Sequence, residues 1–84
     1  MTRTERINKL GRAIITYRGS YNTATGKWIN APQIHKRDTI VKHLVALHRP
    51  HMSDAALKAR ITEDARAIDG FKNRDEYRDW IQAL

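Results

Sequence analysis

Four histidines, His35, His43, His48 and His51, fall within the first fifty-one residues. Imidazoles can ligate a metal or shuttle protons. In His48-Arg49-Pro50-His51 two of them stand close together at a helix end. A zinc set needs further ligands at matching spacing, and the chain has no cysteine. His43 lies five residues before His48, poor spacing for one helical face, and the neighbouring cations repel a metal ion. No metal and no cofactor is expected. His48 is expected at the core edge, with His35, His43 and His51 in solvent.

The sequence offers little for catalysis. Nucleophilic chemistry needs a Ser, Thr or Cys beside a base and an orienting group. Ser20 and Ser53 fall at turn or cap positions, where the hydroxyl has a structural task. Glu63-Asp64, Asp75-Glu76 and Asp79 lie among arginines and lysines, so a solvated, salt-bridging face is expected rather than an acid/base pair. Gly26-Lys27 lacks the spacing of a phosphate loop: the upstream Gly19 is seven residues away, and Trp28 follows the lysine. The chain therefore reads as a binding protein, not an enzyme.

Charge is the informative feature. Sixteen Lys+Arg against nine Asp+Glu give a formal net charge of +7. Residues 1–51 hold ten basic and two acidic side chains, a net of +8, while residues 52–84 hold six and seven, a net of −1. The leading part should project a positive field that draws phosphate or an acidic protein surface. Arg6, Lys9 and Arg12 fall on the polar side of the first helix. Arg18 and Lys27 flank a loop bearing Tyr21 and Trp28. Lys36, Lys42 and Arg49, with His35, Thr39 and His43, mark the polar side of the second helix. Were these faces adjacent, they would neutralise phosphates, and the loop aromatics would stack on unpaired bases. Trp28 is also suited to closing over a small core.

Four helical segments must position these groups. The first spans about Thr4 to Arg18, with Ile7, Leu10, Ile14 and Tyr17 as its apolar stripe and Gly19 after its end. Residues 19–30 form a loop in which Tyr21-Asn22 and Lys27-Trp28-Ile29 can pair as a small hairpin. The second helix spans about Pro32 to His48, and the breadth of its apolar arc (Ile34, Ile40, Val41, Leu44, Val45, Leu47) makes it central. The third runs from Ser53 to Asp69 on the stripe Leu57, Ile61, Ala65, Ile68. The fourth begins at Asn73, with Tyr77, Trp80, Ile81 and Leu84 inward. The expected fold is all-α: one domain over 1–84, a compact bundle of four short helices with a long loop after the first.

The leading expectation is contact with a nucleic acid backbone, DNA or RNA, through the N-terminal half. The connection between helices two and three is longer than that of a helix-turn-helix, so base reading in a groove is not expected. The alternative is a phage-type inhibitor that occupies a host protein complex through the same basic, aromatic surface, with Tyr21, Trp28 and nearby arginines as anchors. The alanines of the third helix would suit a homodimer. Without a secretory or membrane-spanning apolar stretch, the expected compartment is the cytoplasm.

Overall fold

The Thr2 hydroxyl accepts the Glu5 backbone N–H at 3.1 Å and starts helix α1, Arg3–Arg18. Gly19 ends it with φ 73°, its N–H donating to the Ile15 carbonyl at 2.9 Å. A Cβ at this position would lie 2.5 Å from the Asn30 carbonyl oxygen and 2.7 Å from the Pro32 nitrogen, so only glycine fits. The chain then turns into β1 (Ser20–Asn22) and β2 (Lys27–Asn30), an antiparallel pair with Tyr21 opposite Trp28 and Asn22 opposite Lys27. The Asn22 side chain accepts the Ala24 N–H at 2.9 Å and so shapes the turn. The computed structural model, which describes all 84 residues, is thus mostly helical but not purely α: the loop contains a two-stranded sheet.

So short a hairpin is marginal alone. Here Gly19 packs under its exit, and the Gln33 N–H is shared between the Thr16 and Tyr17 carbonyls, each at 3.2 Å. That tether delays the second helix. Ile34–Lys36 forms a single 3-10 turn, and α2 proper is Arg37–His48. Ile34 therefore leaves the expected core arc and is 75% exposed. A second 3-10 turn, Arg49–His51, leads to α3 (Asp54–Gly70), which Ser53 caps; α4 is Arg74–Gln82. The Asn73 side chain accepts the Glu76 N–H at 3.0 Å, while the Glu76 carboxylate reaches back to the Lys72 N–H at 2.7 Å.

Packing follows the apolar stripes. Helix α2 lies against both α1 and α3, and α4 lies against α1. Leu10 and Ile14 of α1 and Leu44 of α2 are fully buried, with Ile40, Leu47, Ile68, Tyr77 and Ile81 around them. No helix is long and apolar enough to cross a membrane.

Two polar ties lock the helices together. Asp64, expected on a solvated face, is buried: one oxygen meets His48 Nε2 and the other the Arg60 Nε–H, both at 3.0 Å. Its position, three after Ile61 and four before Ile68, places it in the α3 stripe. His48 and Asp64 side chains are only 11% and 4% exposed, which denies a substrate access to the pair. Asp64→Ala is expected to cost about 2 kcal/mol in urea unfolding, because His48 loses its partner while Arg60 reaches water. In the second tie, Tyr17 donates to Asp69 at 2.9 Å, and Arg37 donates to the Tyr17 oxygen at 2.6 Å and to Asp69 at 3.2 Å.

Candidate nucleic-acid interface

Two stripes of matched helical spacing face each other where α1 meets α2. Lys9, Arg12 and Thr16 lie along α1, and Lys36, at the end of the 3-10 turn, continues into Thr39 and His43 of α2. They border an open groove of about 240 Å³ with no carboxylate on its walls. Arg6, one turn before Lys9, donates through Nη1 to His43 Nδ1 at 3.3 Å. A guanidinium only donates, so this contact assigns His43 the neutral tautomer with its proton on Nε2.

Burial, and then the charges of Arg6 and Lys9, push the His43 pKa below its ordinary 6.5. The folded chain therefore takes up fewer protons at His43 than the unfolded chain does as pH falls through 6.5. The stability tied to this site is complete above that pH and is lost below it. The unfolding midpoint should drop between about pH 7.5 and about pH 5. His43→Gln should make that drop smaller.

The expected site residues divide into four sets. Arg6, Lys9, Arg12 and Lys36 gather along the α1–α2 groove, although Arg6 is half-buried against His43 rather than free on the outer face. Tyr21 and Trp28 stand on one face of the hairpin, ring centroids 5.0 Å apart and edge to face. Arg18 is a strut as well as a charge: it donates to the Ile68 carbonyl at 3.4 Å and to the Phe71 carbonyl, tying α1 to the end of α3. Lys27, Lys42 and Arg49 are exposed but line neither the groove nor the hairpin cleft. Strand alternation sends Lys27 to the hairpin face opposite Trp28.

Trp28 does not cover the core; it is 52% exposed, and Tyr21 is 50% exposed. The hairpin holds its strands beyond the helical core, so the two rings pack on each other. None of the ten expected residues takes part in an ion pair with a carboxylate. The pairs that form consume Arg37, Arg60 and Arg78 instead. The cations that border the α1–α2 groove are left without a carboxylate partner.

Three cations escaped the sequence reading. Lys72 and Arg74 border the hairpin cleft, and Arg74 and Arg78 border a groove between α1 and α4. They belong to the trailing part, whose net charge of −1 hides them. Lys72 and Arg74 flank the Asn73 cap of α4, and all three are exposed.

No family model, curated protein or solved structure matches this chain.

Proposed function

We propose that this chain is a non-enzymatic nucleic-acid-binding protein that grips the phosphate backbone along the α1–α2 groove. The supporting observation is the pair of facing stripes, Lys9 and Arg12 against Lys36, with no carboxylate between them. Cations held in two rows neutralise successive phosphates and release condensed counterions. Thr39, at the same edge, adds a hydroxyl donor for a phosphate oxygen. Recognition of this kind positions a backbone and does not read bases.

Labelled random-sequence DNA, as duplex and as single strand, should bind with log K falling linearly against log salt. About three phosphate contacts give a slope near −3 on duplex, and exchanging the sequence should change little. Absent or salt-independent binding would overturn the proposal. The second reading is an inhibitor seated on an acidic host protein surface. In that reading Ile29 and Ile34, 67% and 75% exposed, would supply apolar contacts that a phosphate backbone does not use. A pull-down from nuclease-treated bacterial lysate separates the two: one stoichiometric protein that survives the nuclease supports this second reading.

A further inference from the structure

The hairpin leans over the turn between α3 and α4 and encloses a cleft of about 520 Å³. Tyr21 and Trp28 stand on one side, Lys72 and Arg74 on the other. Arg18 also reaches its wall, and no carboxylate does. The volume lies within the range of sites that take a small ligand. Tyr21 and Trp28 are each about half exposed, and an edge-to-face pair leaves ring surface open for a third planar group.

The cleft does not stand alone. It shares Arg74 and Tyr77 with the groove between α1 and α4, a depression of about 370 Å³. That groove shares Arg12 with the α1–α2 groove. Three depressions thus follow one another around α1, from its α2 flank to its α4 flank and on to the hairpin. None of them has a carboxylate on its walls, although Asp75 partly offsets Arg78. A duplex is stiff over far longer distances than this molecule's 46 Å extent, so it cannot follow such a turn at low cost. A single strand bends freely at every nucleotide and exposes its bases.

The geometry points to a single-stranded nucleic acid as the ligand, with an unpaired base stacked on Tyr21 and Trp28 in the hairpin cleft and its flanking phosphates on Lys72 and Arg74. The strand then continues past Arg12 to Lys9 and Lys36. This inference rests on the backbone-binding reading above and adds the class of strand. It also assigns the hairpin a task that the helical core does not require.

The test compares a labelled thymidine oligonucleotide with a duplex of equal length at one salt concentration. The wild-type chain should prefer the single strand. Trp28→Ala should weaken single-strand binding about tenfold to a hundredfold, the loss of one stacked base, and leave duplex binding within about twofold. Trp28→Phe, which keeps an aromatic face, should retain most of the single-strand affinity. Lys72→Glu should weaken the single strand more than the duplex. Trp28 is half-exposed, so the melting temperature of its variants should hold. If Trp28→Ala weakens both ligands equally, or neither, the cleft is not a base site and only the backbone reading stands. If the wild-type chain binds neither oligonucleotide, both proposals fall.

Discussion

Leu44→Ala should cost about 3–5 kcal/mol, on the order of the whole stability of a domain this small. Leu44 has no exposed surface and sits mid-way along α2, the helix that meets both α1 and α3. Its neighbours Leu10 and Ile14 come from α1, so the void left by truncation opens between helices. Backbone on two sides cannot close that void without moving a helix, which places the loss in the upper part of the range. Only twelve of the 84 residues are buried, so little remains to compensate. The measurement is urea unfolding followed by circular dichroism. Leu44→Met, which keeps the volume, should cost less than about 1.5 kcal/mol. Ile34→Ala, at an exposed position, should change stability by less than about 0.5 kcal/mol.

The second large effect is on binding. Lys9→Glu combined with Arg12→Glu should lower affinity for nucleic acid on the order of 100-fold at low salt. Both side chains are exposed, and both border the α1–α2 groove; Arg12 also borders the α1–α4 groove. The double substitution removes two phosphate contacts and puts two negative charges in their place. The salt slope should become shallower by about two. Neither residue packs in the core, so the melting temperature should stay near that of the parent chain. A collapse of the melting temperature would mean that these side chains hold α1 in place.

Much of the helical scaffold is legible in the sequence because apolar spacing and capping agree. Ile7, Leu10 and Ile14 predict α1, and Gly19 ends it where a left-handed residue is required. Ser53 and Asn73 each predict a helix start, and each side chain makes the cap hydrogen bond. What the pattern cannot carry is tertiary. Ile34 has the spacing of a core residue, but the hairpin exit and the Gln33 tether keep the chain out of α2 until Arg37. Asp64 has the spacing of a core residue too, and its charge suggests otherwise; the partners that make its burial affordable, His48 and Arg60, include one from another helix.

The site is half legible for the same reason. Lys9, Arg12 and Lys36 are cationic by inspection, and the α1–α2 packing brings them to one groove. Arg18 carries the same charge but meets backbone carbonyls fifty and more residues away, contacts that no local pattern announces. Lys72 and Arg74 come to the hairpin only because α4 folds back onto α1. Charge counted along the chain misses them, and charge counted around α1 finds them.

The claim that most of this rests on is that the cationic surface around α1 is where nucleic acid touches the molecule. Amide chemical-shift mapping of the labelled chain, titrated with a single-stranded oligonucleotide, tests it residue by residue. The largest shifts should fall on Lys9 to Thr16, Lys36 to His43, Tyr21, Trp28 and Lys72 to Arg74, with Lys58, Thr62 and Arg66 on the outer side of α3 unmoved. Shifts gathered on α3 with α1 silent, or no shifts at millimolar oligonucleotide, would contradict it.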